Sequence, residues 1–267
     1  MNFLENLIDE NSATKFMPQG SEEWEQIRCG RFTSSRISVL LECGTRDMTK
    51  EELALRPKTG TGSKTTKIAD PTKMSAKGLS YVYEKVAEVL TGSPKPKTYA
   101  YPLVYGNETE PLAADFFAKK FNVELEEIGF QTFGEHAGGS PDRIFDYDGK
   151  KHGLEIKCPY NSENQINYLM LTDAWDLKRN YPDYYWQCVS NMLFMDIPVW
   201  HFVTYDPRFV DDSMKMSHLV IDNKFEEVKE DQVKIVSALE VAIEKKLRIL
   251  NSLNVTKQKY ESLKLYN

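Results

Sequence analysis

The sequence predicts an α/β fold in a single domain, because helical and strand patterns both occur along its 267 residues. Apolar residues spaced three and four positions apart predict helices at residues 79–90 and 225–250. Runs of β-branched and aromatic residues predict strands at 199–205 and 217–221. Hydrophobic residues make up 41% of the chain, enough for one substantial core. We therefore expect one domain over the whole chain, with its core at about 19–250.

Composition excludes several classes of protein. The four cysteines form no Cys-x-x-Cys pair, the four histidines have no metal-ligand spacing, and no Gly-x-Ser-x-Gly elbow occurs. No apolar stretch approaches the ~20 residues that span a bilayer, and residues 1–19 lack a secretory signal, so we expect a soluble, cytoplasmic protein. The net charge of −6 argues at first against nucleic acid, but a basic groove can coexist with acidic surfaces elsewhere.

The first elements are short helices. Residues 1–17 predict one, and Ser21 begins a second that continues through Arg28. Gly30 ends that helix, and the Thr33-Ser34-Ser35 run precedes the next. Amides and hydroxyls at a helix N-terminus beside an arginine can bind phosphate, and they can equally serve as a plain N-cap through Ser34 or Ser35.

Residues 42–77 interrupt the pattern and are rich in turn-forming and basic residues. They predict a mobile basic insertion with one short helix at 50–55. The run at 60–65 lacks the Gly-Lys-Ser/Thr ending of a phosphate-binding loop, so nucleotide binding is rejected. The insertion either contacts DNA or is a solvated loop without a role.

Two helices follow the insertion. The first has an apolar stripe expected in the core: Leu79, Val82, Tyr83, Val86, Val89 and Leu90. The second is predicted at 109–121 with Pro111 in its first turn, where proline is tolerated. Glu110 in that turn would favour the helix dipole.

A strand predicted at 123–133 is expected to pair with a hairpin whose turn is Asp148-Gly149. The second strand of this hairpin has apolar residues on one face and Glu155 and Lys157 on the other, because side chains alternate along a strand. With Asp142, two carboxylates and one ammonium would meet on one side of a small sheet. Carboxylates bind Mg²⁺, and a lysine beside them can help water attack a phosphate. The alternative is a surface hairpin with solvated charges.

The remaining chain predicts a loop and helix at 163–172, an amphipathic helix at 182–195, the two last strands and a long helix at 225–250. Gln187 and Asn191 lie on one face of the helix at 182–195 and could contact water, backbone or substrate. The long helix would pack on the domain or on a neighbouring subunit. Residues 257–267 predict a fraying tail.

Several motifs occur together in a characteristic order. Ser140-Pro141-Asp142 followed by Leu154-Glu155-Ile156-Lys157-Cys158-Pro159 resembles the PD-(D/E)xK nuclease signature, in the form found in the YqaJ-type viral recombinase family, which includes bacteriophage lambda exonuclease. The resemblance extends over about 19–247 through further motifs: Trp24, Arg28, Gly30, Thr33 and Ser35; Gly106 and Glu110; Trp186, Gln187 and Met192; and Tyr205-Asp206-Pro207-Arg208.

The resemblance implies a restriction-endonuclease-like core, a central mixed sheet flanked by helices. It implies an exonuclease that depends on Mg²⁺, with Mn²⁺ as a substitute, and that degrades the 5′-ended strand of linear duplex DNA. Mononucleotides are released, and a 3′ overhang is left for recombination. Family members form ring-shaped homotrimers and cooperate with a single-strand annealing protein, and a phage or prophage origin in a bacterial host is expected.

The resemblance also implies roles for individual residues. The metal ligands would be the carboxylates of Asp142, Glu155 and Glu110 and the backbone carbonyl of Ile156. Lys157 would orient the water, and Gln187 would lie at the active site. A terminal phosphate would be held by Arg28, Thr33, Ser35 and Ser140, and Leu103 would lie near the point of strand separation.

One departure from the family concerns the phosphate grip. An arginine that follows the Cys-Pro motif in the family aligns near Glu163 here, so that contact is missing or is supplied by Arg31, Arg36 or the insertion. Two other readings stay open: an endonuclease with the same metal core, and a DNA-binding module without activity, against which the joint presence of Asp142, Glu155 and Lys157 argues.

Overall fold

Helices and strands alternate along the described part of the chain. The computed structural model describes residues 18–55, 66–96 and 100–264, the last ten by their backbone alone. Its helices are α1 (Glu22–Arg28), α2 (Ser38–Leu41), α3 (Lys50–Ala54), α4 (Ala76–Thr91), α5 (Tyr101–Phe121), α6 (Ser162–Leu169), α7 (Ala174–Asn180), α8 (Pro182–Met195), α9 (Asp212–Lys215) and α10 (Glu226–Lys264). Its strands are β1 (Phe32–Thr33), β2 (Cys43–Asp47), β3 (Lys67–Met74), β4 (Gln131–Phe133), β5 (Ala137–Gly139), β6 (Arg143–Tyr147), β7 (Lys150–Lys157), β8 (Val199–Tyr205) and β9 (Met216–Asp222).

A four-stranded mixed sheet in the order β6-β7-β8-β9 organises the fold. β6 and β7 form the predicted antiparallel hairpin, β8 runs parallel to β7, and β9 returns antiparallel to β8. The hairpin turn is Asp148-Gly149, and both residues have positive φ, 54° and 73°, as two-residue turns of this kind require. The predicted α/β class with a central mixed sheet is confirmed.

The two faces of this sheet are buried against different helices. Leu154 and Ile156 of β7 pack with Phe117 of α5 in one apolar cluster. Trp200 of β8 lies on the other face, in a larger cluster that includes residues of α4, α8 and α10. Gly153 pairs with Trp200, and a Cβ at this glycine would lie 2.2 Å from the indole ring. Because side chains alternate, Glu155 is directed to the α8 face.

The strand predicted at 123–133 is wrong in most of its length. Only Gln131–Phe133 forms a strand, and it pairs with β5 in a small sheet of order β1-β5-β4. Its contact with the predicted partner is a single bridge between Glu126 and Ile144. Alternation in this segment reflects two separate contacts of the chain and not one continuous ladder.

The described parts of the basic insertion, residues 42–55 and 66–77, are more ordered than the sequence suggested. β2 and β3 pair antiparallel as a hairpin that encloses α3, so the turn expected at Asp70-Pro71 lies within a strand. The pairing shifts register between Cys43 and Gly44, which accommodates the irregular sequence. Residues 56–65, including the run compared with a phosphate-binding loop, lie outside the described residues.

The predictions for helices α5 and α4 need correction. α5 begins at Tyr101, with Pro102 in its first turn, so Pro111 lies inside the helix and Glu110 does not open it. On α4, Tyr83, Val89 and Leu90 of the predicted core stripe are 54%, 45% and 55% exposed. The buried positions of α4 include Tyr81, Lys85 and Glu88, whose polar atoms find partners. A pattern of apolar spacing does not predict that Lys85 and Glu88 are buried as an ion pair.

The C-terminal helix is longer than predicted. α10 continues to Lys264, so 257–264 is helical and not a fraying tail, and the predicted helix at 1–17 lies outside the described residues. Over the described ranges, no helix combines the length and the apolar character that crossing a membrane requires.

Three histidines, two of them buried and His218 half-buried, form a hydrogen-bonded line on the α5 face of the central sheet. His152 Nδ1 lies 2.8 Å from His201 Nε2, and His201 Nδ1 lies 2.7 Å from His218 Nε2. Phe117 and Phe145 contact this histidine ladder (His152, His201 and His218) with their rings. Burial, together with His218 and His152, lowers the pKa of His201 to about 3, and burial and Lys120 lower that of His218 to about 4.

The histidine ladder should make the protein less stable in mild acid. Because the folded pKa values lie below the ordinary 6.5, the unfolded chain takes up protons that the folded chain refuses. The stability that the neutral histidines contribute is complete above pH 6.5 and is lost as the pH falls below it. We expect His201→Gln to reduce the pH slope of the unfolding free energy by about 1 kcal/mol per pH unit. Urea unfolding from about pH 7 to about pH 4.5 measures this, and an unchanged slope would assign the acid sensitivity elsewhere.

Candidate active site

A cavity of ≈ 560 Å³ is lined by all eleven residues that the sequence analysis proposed for the site. They come from α1, β1 and the turn after it, α5, the segment between β5 and β6, β7 and α8: Arg28, Thr33, Ser35, Leu103, Glu110, Ser140, Asp142, Glu155, Ile156, Lys157 and Gln187. Residues more than 150 positions apart in sequence therefore share one space.

The hairpin of β6 and β7 positions the charged end of the cavity. Asp142 directly precedes β6, and its Oδ2 accepts a hydrogen bond of 2.6 Å from the backbone amide of Ile156. Glu155 is completely buried, and its Oε1 accepts from Lys157 Nζ and, at 2.6 Å, from Gln187 Nε2. α8 therefore supports Glu155 from the face opposite to α5.

The cavity holds more negative charge than its own cations neutralise. Burial and the neighbouring Asp142 raise the pKa of Glu155 to about 8. The same two causes raise the pKa of Glu110 to about 7, although Arg143 and Lys157 oppose them. Burial also raises the pKa of Asp142. Burial lowers the pKa of Lys157, but Glu155 and Asp142 outweigh this and keep it above its usual value, so the lysine carries its charge.

The donor set fits a hard divalent cation. Glu155 Oε2 is buried and has no hydrogen-bond partner in the part of the chain that the structure describes, so one carboxylate oxygen remains available. A bound cation would relieve the repulsion among carboxylates that raises their pKa values. Within 18–55, 66–96 and 100–264, no three His, Cys, Asp or Glu side chains lie close enough to form a complete metal cluster. Glu110 instead contacts Arg143 at 3.1 Å.

Trp24 joins two of the proposed phosphate-binding residues. Its indole Nε1 donates a 2.9 Å hydrogen bond to Ser140 Oγ, and Arg28 Cζ lies 3.7 Å from the centroid of its ring. Burial lowers the pKa of Arg28, and the nearby Glu25 opposes this at a separation of 3.8 Å. A partly buried guanidinium with one distant carboxylate can accept a further anion.

Tyr81 contacts Thr33, another of the proposed phosphate-binding residues. Its hydroxyl accepts a 2.9 Å hydrogen bond from the amide of Thr33, whose Oγ1 lies 3.3 Å from Ser35 Oγ. The ring of Tyr81 lies 4.0 Å from Arg36 Cζ, which also pairs with Glu84. No side chain caps the 3₁₀ helix (Ser34–Arg36), so the plain capping alternative does not describe this segment.

The structure distinguishes the two arginines considered for the missing phosphate contact. Arg36 lines a second cavity of ≈ 900 Å³ together with Arg28 and Thr33, which line the first cavity too. Arg31 lines neither of them and donates from its guanidinium to the carbonyl of Ile27 at 2.5 Å. Arg36 is therefore the better placed of the two.

Two supporting features were not found from the sequence. Tyr81 was missed because its helix pattern suggested a different buried face. The role of the Asp206-Pro207-Arg208 motif was also missed. Arg208 pairs with buried Asp206 at 2.7 and 2.8 Å and donates to the carbonyl of Pro159 at 3.0 Å, which fixes the chain just after Lys157. The two polar residues predicted on one face of α8 differ in their contacts. Gln187 donates a hydrogen bond to Glu155, whereas the buried Asn191 has no hydrogen-bond partner among the described residues.

Comparisons with known proteins identify the family of this chain and show proteins with a similar fold. Residues 51–197, more than half of the chain, match the model of the YqaJ-like viral recombinase domain. An alkaline exonuclease from Laribacter hongkongensis has a similar structure, with a TM-score of 0.61 and 21% identity over 91% of this chain and 100% of that one. The same enzyme in complex with dAMP gives 0.62 and 20% over 88% and 100%. A phage-related exonuclease from Haemophilus somnus gives 0.56 and 13% over 84% and 96%. No curated protein sequence matches the chain.

Proposed function

This chain belongs to the YqaJ-like viral recombinase domain family, and we propose that it is a Mg²⁺-dependent exonuclease that degrades the 5′-ended strand of linear duplex DNA. The observation that carries this proposal is the composition of one cavity. Asp142, Glu155 and Lys157 line this cavity, and so do Arg28 and Thr33. A phosphate-binding group beside a hydrolytic group suits cleavage near a DNA end.

The charged end performs the hydrolysis. Asp142, Glu155, Glu110 and the carbonyl of Ile156 would hold Mg²⁺, which supplies a Lewis acid for the phosphoryl oxygens and lowers the pKa of bound water. Lys157 orients the attacking water and offsets the charge that develops on the phosphate. Gln187 keeps Glu155 in place through their 2.6 Å hydrogen bond.

The polar end holds the terminal phosphate. Arg28 makes charge-assisted hydrogen bonds to it, with the hydroxyls of Ser140, Thr33 and Ser35 beside it. Arg36 takes the place of the arginine that the family has after the Cys-Pro motif. Leu103 lines the same cavity with 59% of its surface exposed, which suits contact with the bases where the strands part.

Assembly and partners extend the same proposal. A ring-shaped homotrimer around the duplex would compensate for the net charge of −6, because threaded DNA cannot leave sideways. The 3′ overhang that remains is a substrate for a single-strand annealing recombinase. Mn²⁺ would substitute for Mg²⁺, since it also prefers carboxylate and carbonyl oxygens.

A second candidate is an endonuclease that uses the same metal core. The observation that favours it is the cavity of ≈ 900 Å³ beyond Arg28, which offers room for a strand to continue past the phosphate site. In an exonuclease, an uninterrupted strand could not pass through this second cavity.

Duplexes labelled at either terminus test both functions. We expect purified protein with Mg²⁺ to release mononucleotides from the 5′-ended strand of linear DNA, to leave a covalently closed circle intact and to stop when EDTA is added. Cleavage of the circle would establish the endonuclease, and no cleavage of either DNA would reject both enzymes.

Arg36 is tested with the same substrates. We expect Arg36→Met to degrade 5′-phosphorylated ends about tenfold more slowly while 5′-hydroxyl ends are little affected, since a lost charge-assisted contact is worth about 1.5–3 kcal/mol. Arg179→Met is the matched control, because the Arg179 side chain on α7 is 71% exposed and lines neither cavity. Equal loss on both kinds of end would remove Arg36 from the phosphate site.

A further inference from the structure

The turn between α1 and β1, residues 29–31, is held by two buried charged side chains from distant parts of the chain. We call it the Gly30 loop. The amide of Gly30 donates to Glu88 Oε2 at 2.7 Å, and the carbonyl of Gly30 accepts from Lys246 Nζ at 2.9 Å. Glu88 belongs to α4, and Lys246 belongs to α10. Both backbone polar groups of Gly30 are therefore bound by charged side chains, which come from two different helices.

Gly30 cannot be replaced by a residue with a side chain without strain. Gly30 has φ +75°, and a Cβ there would lie 2.6 Å from a methyl carbon of Val89. No side chain can therefore anchor the loop at this point, and the backbone contacts must do so. The loop directly joins Arg28 to the strand that carries Thr33, two residues assigned to the phosphate end of the cavity.

Both charged groups are buried at a cost that an aliphatic side chain would avoid. Lys246 is 3% exposed and Glu88 is 5% exposed. Lys85 Nζ contacts both oxygens of Glu88 at 3.0 and 2.9 Å, and His136 Nδ1 lies 3.2 Å from Lys246 Nζ. Burying an ammonium costs several kcal/mol unless its hydrogen bonds are satisfied. An aliphatic residue would fill the same volume, but only a donor can fix the carbonyl of Gly30.

From these contacts we infer that Lys246 and Glu88 are positioning residues that hold the Gly30 loop where Arg28 and Thr33 can bind the terminal phosphate of a DNA end. This inference rests on the proposed function and names a further determinant of the same site. Neither residue lines the cavity of ≈ 560 Å³ that holds the proposed catalytic groups. Their effect passes through the loop, and displacement of a binding group by about 1 Å is enough to weaken recognition strongly.

A binding experiment separates this inference from the activity. A short duplex with a 5′-phosphate and its 5′-hydroxyl counterpart are bound to the full-length chain in EDTA, and fluorescence anisotropy gives the ratio of the two Kd values. We expect wild type to prefer the phosphorylated end, and Lys246→Met and Glu88→Gln to lower that preference about tenfold. Lys246→Arg should restore most of it, because a donor returns to the carbonyl of Gly30.

Lys245→Met is the matched control, since Lys245 is the exposed neighbour of Lys246 on α10. The Tm of each variant is measured to confirm that it folds. If Lys246→Met does not fold, the phosphate preferences of Glu88→Gln and Lys246→Arg test the inference. Wild type without a phosphate preference would overturn the inference. So would variants that keep the preference, or that lose affinity for both ends equally. Wild type that shows the preference but digests no DNA would reject the proposed function and leave the positioning role standing.

Discussion

Glu155→Gln is expected to reduce DNA hydrolysis by about a thousandfold or more, because it removes one of the carboxylates that would hold Mg²⁺. The side chain keeps its size and can still contact Gln187, so a loss of activity reports the loss of charge. A steady-state assay on linear duplex DNA with Mg²⁺ measures it. Activity within about tenfold of wild type would remove Glu155 from the metal site.

The same substitution should stabilise the protein when metal is absent. Burial and Asp142 raise the pKa of Glu155 to about 8 from its usual 4.5, so the folded state favours the protonated form. Ionisation of Glu155 therefore costs the folded protein stability, and a neutral glutamine avoids that cost while Asp142 remains to compensate the charge of Lys157. We expect a higher Tm for Glu155→Gln in EDTA, whereas Mg²⁺ should raise the Tm of wild type only.

Glu126→Gln is the matched control for both measurements, because Glu126 is an exposed glutamate on the neighbouring segment. It should change neither activity nor the response of the Tm to Mg²⁺. If Mg²⁺ raised the Tm of Glu155→Gln as much as that of wild type, the cation would bind elsewhere.

Lys157→Met is expected to reduce kcat by a factor of about 100 to 1,000 with little change in KM, since the ammonium acts on the developing charge of the transition state. It should also destabilise the protein, because Lys157 compensates the charge of Glu155 and Asp142. The loss of stability should be larger at about pH 8 than at about pH 5, where raised carboxylate pKa values keep more of the groups protonated.

Lys151→Met provides the comparison for Lys157, because Lys151 lies on the same strand with a half-exposed side chain. Its activity and stability should stay close to those of wild type. If Lys157→Met raised KM and left kcat unchanged, the lysine would bind the ground state and would not assist the chemical step.

The sequence identified the hairpin and its charged residues because both depend on local rules. Asp148-Gly149 sets a two-residue turn, and alternation along β7 places Glu155 opposite to Leu154. The last strands and the helix at Pro182–Met195 followed from the same kinds of pattern. Local patterns failed at 123–133 and at the start of α5, where contacts with distant elements determine the conformation.

Supporting residues of the site could not be predicted in the same way. Tyr81 reaches Thr33 across 48 positions of sequence, and Lys246 reaches Gly30 across 216. Arg36 and Arg31 are equally basic in sequence, but only Arg36 lines the cavity of ≈ 900 Å³ beside Arg28, and Arg31 lines neither cavity. Such pairings depend on how helices pack, which no short window of sequence contains.

By itself, the sequence determined the kinds of chemical group present and their order: Asp142 before a hairpin, Glu155 and Lys157 on one face of a strand, and arginine with hydroxyls near the N-terminus. Spacing and turn residues act through the backbone of neighbouring positions, so they can be read directly. The tertiary structure decided that these groups share one cavity and that Trp24, Tyr81 and Lys246 support it. Packing between elements joins residues that are far apart in the chain, and that information exists only in the folded protein.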